Sequence, residues 1–404
     1  MIYNHHMRKI TSFLFGLFLC GCATTMQSHL NDIQNNFANG DFTTTTESVP
    51  SDQTNLDLLI NGTALFLDSK YEQSDKTFEE FNKRNISETS TSFSRETTGL
   101  LLGQGANSYK PYMMDSLFVS YYQIWDLLAL HDWKNARVVI NQSYQRQQDM
   151  SREYKKLIEN NKKELSENDQ VAEFIKTNSN DWLAFRDIMN PALMYLSGIY
   201  FLNDGDFDNA ITYLKRANGM MPDNKYIKQD LELAQKRIRP SNTNWKFIET
   251  GFAPRLRESN ASIYVFGIGL VQFTFSDTYQ MPNYTIPQNS EMLANVDAMF
   301  MTEYNEYKAN EVLRAYAAAI SKTTAQTLIY NSNSDYAALL GVMSSVYTAA
   351  SSNADVRTWA TLPKYIYVER YKTKDKTNNL IYNREINGKI VNTKTIELEK
   401  GERK

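Results

Sequence analysis

One small pattern recurs along residues 40–210 and limits what they can build. It consists of two turn residues, an aromatic, and a small residue three places on. It reads Gly40-Asp41-Phe42 with Thr45, Ser69-Lys70-Tyr71 with Ser74, His131-Asp132-Trp133 with Ala136, and Gly205-Asp206-Phe207 with Ala210. Two antiparallel helices approach closely only where the facing side chains are small. In the last copy Gly198 and Ala210 supply those residues, and Phe207 fills the wedge at the turn. Leu214 and Ala217 then lie on the core face of the second helix, and Pro222, which has no N–H to donate, stops it. A chain that repeats this unit is expected to fold as helical hairpins.

The spacing of Gly198, Phe201, Phe207, Ala210, Leu214, Ala217 and Pro222 resembles a tetratricopeptide repeat. Leu58, Gly62, Leu65, Tyr71, Ser74, Phe78 and Phe81 repeat it with Ser for Ala. Leu127, Trp133, Ala136, Ile140 and Ser143 repeat it again, with Ile124 where a small residue is expected. The Thr45 unit is degenerate, either a worn first hairpin or a tether. Three matches in one chain favour a tetratricopeptide-like solenoid over an unrelated helical bundle. The units are interrupted by a polar Ser/Thr-rich stretch and by residues 145–176. The latter carry a thin apolar stripe, Tyr154, Leu157, Ile158 and Leu165, and read as a long solvated helix or helical hairpin.

Pro240-Ser241-Asn242-Thr243-Asn244 is a turn-rich break, and β patterns follow it. Trp245 to Glu249 reads as a strand. Ile263 to Phe275, apolar on both faces, reads as a buried central strand, with a membrane-touching hairpin as the alternative. Helices are expected from Glu303 to Tyr330 and from Asp335 to Tyr347. Strands close the chain at Tyr365–Tyr371, Leu380–Ile386 and Lys389–Leu398, with Asn387-Gly388 marking a type I′ hairpin turn. The fold class is therefore α+β, with tetratricopeptide-like helical hairpins followed by a smaller α+β domain that ends in a β-meander. The expected divisions are 1–21, 22–54, 55–240 and 241–404.

The first of these divisions is an address. Arg8 and Lys9 precede the apolar run Phe13 to Leu19, which is well short of the ~20 residues a spanning helix needs, so it reads as a cleaved signal peptide. Either Met1 or Met7 serves as the start. Leu19-Cys20-Gly21-Cys22 resembles the lipobox of bacterial lipoproteins. The resemblance implies that Leu19 and Gly21 fit the processing peptidase and that Cys22 is lipidated. Several acyl chains anchor a protein stably where one does not. Ala23 after the cysteine, by the same analogy, favours the outer membrane with the domain facing the periplasm; the inner membrane and the cell surface stay open.

Composition excludes more than it selects. The charges, 43 basic and 46 acidic, give −3, which is no surface for nucleic acid. Of two cysteines, Cys20 leaves with the signal and Cys22 is modified, so the mature chain expects no disulfide. Only His29 and His131 remain of four histidines, which argues against a histidine metal site or triad; no cofactor or metal is expected. Gly103-Gln104-Gly105 lacks the Lys-Ser/Thr of a phosphate loop.

Further local patterns converge. They are Tyr109-Lys110-Pro111-Tyr112, Asp132 to Arg137, Phe247 to Pro254, and the run Asp355, Arg357 and Trp359 followed by Leu362-Pro363. With the lipobox and the repeats, they resemble an uncharacterised family of bacterial outer-membrane lipoproteins with tetratricopeptide-like repeats. The resemblance implies a place and a fold but no reaction. The chain is expected to be a scaffold or adaptor, not an enzyme, binding a protein or peptide partner in the envelope. A groove lined by Tyr121, Gln123, Tyr195 and Tyr200 is the expected binding face. An envelope enzyme, with Asp355, Arg357 and Trp359 as its best local cluster, and a subunit of a secretion or surface-assembly machine are the alternatives.

Overall fold

The computed structural model describes residues 21–48, 53–89, 109–166, 169–178, 189–265, 269–279, 286–330, 354–374 and 376–398. The fold is α+β, with helices in the N-terminal half and sheets in the C-terminal part. The expected helix at 335–347, the Gly103-Gln104-Gly105 run and Leu19 lie outside the described residues.

The helices pair as hairpins. α1 (Gly21–Asn39) turns into α2 (Phe42–Glu47), α3 (Asn55–Leu67) into α4 (Tyr71–Thr89), and α5 (Met113–Ala129) into α6 (Trp133–Ser166). After α7 (Asp169–Asn178), α8 (Pro191–Asp204) turns into α9 (Phe207–Met220), and α10 (Lys225–Gln235) follows. All four turns are built alike. Gly40, Ser69, His131 and Gly205 take φ of 76, 60, 57 and 79°. The next residue then donates its N–H five residues back: Asp41 to Asn36, Lys70 to Leu65, Asp132 to Leu127 and Asp206 to Phe201, at 2.8–3.0 Å. This closure satisfies a carbonyl that the ending helix leaves unpaired. Asp41, Asp132 and Asp206 then cap the following helix by accepting from the backbone of Thr44, Asn135 and Asn209. The sequence pattern is thus a left-handed residue, a cap and a wedge. The small residues Thr45, Ser74, Ala136 and Ala210 are all fully buried. At Gly198 a Cβ would lie 2.7 Å from the Leu214 side chain, so the two helices meet there because that atom is missing.

Beyond the helices, β1 (Thr243–Thr250), β4 (Glu291–Asn295), β5 (Tyr365–Lys372), β6 (Asn378–Ile386) and β7 (Lys389–Leu398) form one sheet in the order β4-β5-β1-β6-β7. The three closing strands form at the expected places, but they are not a meander. β1 lies between β5 and β6, antiparallel to the first and parallel to the second. Seven of β1's eight residues are buried, and a strand covered on both faces belongs at the centre of a sheet, not its edge. Asn387 and Gly388, at φ 52 and 74°, turn β6 into β7 as a type I′ turn requires.

The apolar run at 263–275 is also not one central strand. It spans the ends of β2 (Arg255–Val265) and β3 (Gly269–Tyr279), which form a separate two-stranded ribbon. A long apolar stretch without charge conceals the reversal. α11 (Val296–Tyr330) begins seven residues before the expected helix because Asn295 accepts from the Ala298 N–H at 3.0 Å and caps it.

The main core runs through both halves of the chain. Trp125 of α5 packs on Phe247 of β1 and Tyr382 of β6, with ring centroids 5.3 and 5.5 Å apart. Phe66 of α3 meets Tyr382 at 4.9 Å, and Tyr195 of α8 meets Phe247 at 5.9 Å. A second, smaller core joins Val171 of α7, Val271, Phe273 and Phe275 of β3, and Val312 and Tyr316 of α11.

Candidate functional site

The residues expected to line a groove do not. Tyr121 is fully buried, with the rings of Phe118, Tyr122 and Trp125 around it. Gln123 ties α5 to α4: its amide donates to Asp75 and accepts from Asn82, both at 2.9 Å. Tyr195 donates its hydroxyl to Asp230 at 2.6 Å, and Tyr200 donates to the Trp133 carbonyl at 2.8 Å. The expectation of a groove at these four is corrected: all four side chains are buried, Tyr121 and Tyr195 on the side covered by the chain's own sheet, Gln123 and Tyr200 between neighbouring helices.

The Asp355–Trp359 motif lies on a strap, residues 354–364, laid between helices and sheet. Arg357 donates Nε and Nη2 to the two carboxylate oxygens of Asp355, at 2.7 and 2.6 Å. Trp359 does not pair with Arg357. Its Nε1–H donates to Thr63 Oγ1 of α3 at 3.0 Å, and its ring lies 6.1 Å from those of Phe78 and Tyr122. The strap backbone is held at both sides: the Gln34 amide donates to the Ala360 carbonyl, the Ala253 N–H to that of Leu362, and the Lys364 N–H to that of Thr250. Trp359 and the strap backbone therefore join the two halves, while Asp355 and Arg357 pair with each other.

Sequence reading missed the buried charges. Glu249 of β1 accepts from Tyr382 at 2.7 Å and Tyr122 at 3.0 Å and faces Arg384 of β6 at 3.5 Å. Burial raises Glu249 above the ordinary carboxylate range, against the opposing pull of Arg384. Asp230 of α10 accepts from Tyr195, from the Trp245 indole at 2.7 Å and from Arg370 at 2.8 Å. A third group gathers where α11 meets α5. Glu303 accepts the N–H groups of Met113 and Met114, the latter at 2.9 Å, and so caps α5. Asp115 accepts from the Tyr109 hydroxyl at 2.7 Å and the Tyr112 N–H at 2.9 Å. Glu311 accepts from the backbone and hydroxyl of Ser276 on β3. Burial pushes Asp115 and Glu311 up to about 7 and Glu303 up to about 8. The signal available in sequence was a lone charge inside an apolar strand, as in Phe247-Ile248-Glu249-Thr250.

These groups hold the elements in position. Glu249, Asp230, Glu303 and Glu311 are occupied by donors from other elements and Asp115 by the cap of its own helix, and among the described residues no three His, Cys, Asp or Glu converge as a metal site. Cys22 lies in the first turn of α1, whose Ile33 and Phe37 are seated in the main core. From Cys22 to Ile33 a helix rises about 16 Å. Arg255, at the base of the β2–β3 ribbon, donates to Asn31 on the same helix. The ribbon exposes Tyr264, Leu270 and Tyr279. Among the described residues no helix is long and apolar enough to cross a membrane. The chain matches no known protein family, no curated protein and no solved structure.

Proposed function

We propose that this chain is a cell-envelope scaffold: exported, cut before Cys22, held by lipid on that cysteine at the outer membrane facing the periplasm, and binding a protein partner without catalysing a reaction. The observation that carries this reading is that the charged and aromatic groups of both halves are spent on each other, through Glu249, Asp230, Glu303 and the strap, in one body on a short helical stalk. Stacked hairpins with one repeated turn support a tetratricopeptide-like origin for the helices. Because the sheet fills the face where Tyr121 and Tyr195 lie, the partner meets an outer surface of the array or the C-terminal half. Anchoring is read by labelling cells with a fatty-acid analogue: the wild type takes up label and Cys22→Ser does not. Label persisting on Cys22→Ser defeats the anchor. Crosslinking in intact envelopes then reads the scaffold, where a discrete adduct with another envelope protein is expected and a monomer at every crosslinker length defeats it.

A further inference from the structure

The β2–β3 ribbon is graded along its length. Its base is charged, with Arg255, Arg257, Glu258 and Asp277, and Lys308 of α11 pairs with Asp277 at 2.8 Å. From Ser259 to Ser276 the chain carries no charged residue. One face of this stretch is committed: Val271, Phe273 and Phe275 pack into the small core with Val312 and Tyr316. The opposite face changes pair by pair. Asn260 lies opposite Thr274, and Thr274 donates its hydroxyl to Asn260 at 2.8 Å; Ser262 lies opposite Gln272; Tyr264 lies opposite Leu270. So along the outer face Glu258, opposite Ser276, gives way to neutral amides and hydroxyls and then to an aromatic–aliphatic pair, while Arg255, Arg257 and Asp277 alternate onto the other face at the base. That last pair is 66 and 57 % exposed, the most open apolar side chains among the ribbon's described residues.

Such an order of polarity matches the order of a bilayer surface, where charge stays in water and tyrosine is favoured at the boundary of headgroups and acyl chains. The position on the stalk agrees. Asn31, which receives Arg255, is nine helical residues from Cys22, about 14 Å. Eleven residues of strand extend about 33 Å, enough to reach a bilayer that holds the N-terminus of α1.

We propose that the β2–β3 ribbon is a second membrane contact, with Tyr264 and Leu270 entering the interfacial layer of the lipid. The geometric argument rests on lipid anchoring at Cys22, but the contact is tested without it. The ribbon then sets the orientation of the molecule on the bilayer. Such a contact accounts for apolar residues on both of its faces, since one face grips α7 and α11 while the tip of the other meets lipid.

The test uses the full chain with Cys20→Ser and Cys22→Ser, so that an introduced thiol is unique and no acyl chain ties the protein down. An environment-sensitive fluorophore is placed at Tyr264→Cys, at Leu270→Cys, or at the control Lys156→Cys on the solvated part of α6. Vesicles of phosphatidylethanolamine and phosphatidylglycerol are added. At 264 and 270 the emission shifts to the blue and is quenched by lipid-borne nitroxides, while 156 stays aqueous. Tyr264→Glu with Leu270→Glu lowers vesicle partition roughly tenfold, the worth of one buried leucine, with circular dichroism unchanged. Probes at 264 and 270 that remain aqueous overturn the proposal. So does a shift that grows with protein concentration in the absence of lipid, which assigns the face to a second copy. A shift at all three positions overturns it as adsorption without orientation. Loss of fatty-acid label with entry at 264 intact would remove the anchor and leave this contact standing.

Discussion

Ala210 sits where α8 and α9 cross, fully buried, with Gly198 twelve residues before it and Leu214 filling the space a Gly198 side chain would need. A side chain at Gly198 would force the Leu214 side chain to shift. Ala210→Leu is expected to lower stability by ~1–3 kcal/mol, the usual cost of overpacking a core. A denaturant midpoint equal to wild type would place Ala210 away from the crossing. At this scale the sequence was informative because the turn chemistry is local. A left-handed residue, an Asp cap and an aromatic wedge need no partner elsewhere in the chain. Trp359 was legible as distinctive but not in its role, since Thr63, its hydrogen-bond partner, lies 296 residues away.

Among the elements, α11 is held by carboxylates. Glu303 caps α5 and Glu311 grips β3. Asp115 lies beside Glu303; Tyr112 and Tyr307 line the same junction, 5.7 Å apart. The nearby cations are engaged, Arg357 with Asp355, Lys308 with Asp277, and Lys110 over the Tyr307 ring. Burial holds all three acids above their ordinary values, so the folded chain keeps protons that the unfolded chain releases. Stability therefore falls as pH rises from about 4, where the unfolded acids ionise, to about 8, where the last folded one does. The melting temperature is expected to drop between pH 5.5 and 8.5, and Glu303→Gln to flatten the drop. Hydrogen exchange should place the loosening in α11. A melting temperature that rises over this window, or a slope untouched by Glu303→Gln, contradicts the account. Periodicity announced the helix, but its first turn was legible only once Asn295 was seen as a cap at the end of β4.

Taken whole, the molecule has its helices and its larger sheet around one main core. Phe66, Trp125 and Tyr195 reach the sheet from three different hairpins. Residues 55–240 made alone would bare these rings together with Tyr122, whose hydroxyl reaches Glu249. That fragment is expected to keep helical circular dichroism, bind a hydrophobic dye and lack a cooperative melt, while the full chain melts in a single transition. A fragment that melts as sharply as the whole protein would show the array to be self-sufficient.

The sequence by itself determined the hairpin turns, the places of four of the five strands in the larger sheet (β4 gave no signal), the Asn387-Gly388 reversal and the break near Pro240. Each depends on residues within a turn or two of one another, where backbone preference and side-chain period decide. Only the tertiary structure decided that β1 enters between β5 and β6, that the 263–275 run spans two strands, and that the sheet occupies the face of Tyr121 and Tyr195. Those outcomes depend on which apolar faces bury each other between segments distant in sequence, from about 40 residues for β3 on α11 to more than 110 for β1 on β5 and β6. Burial is nearly indifferent to identity among Trp, Phe and Tyr, so the sequence names the faces and leaves their partners to packing.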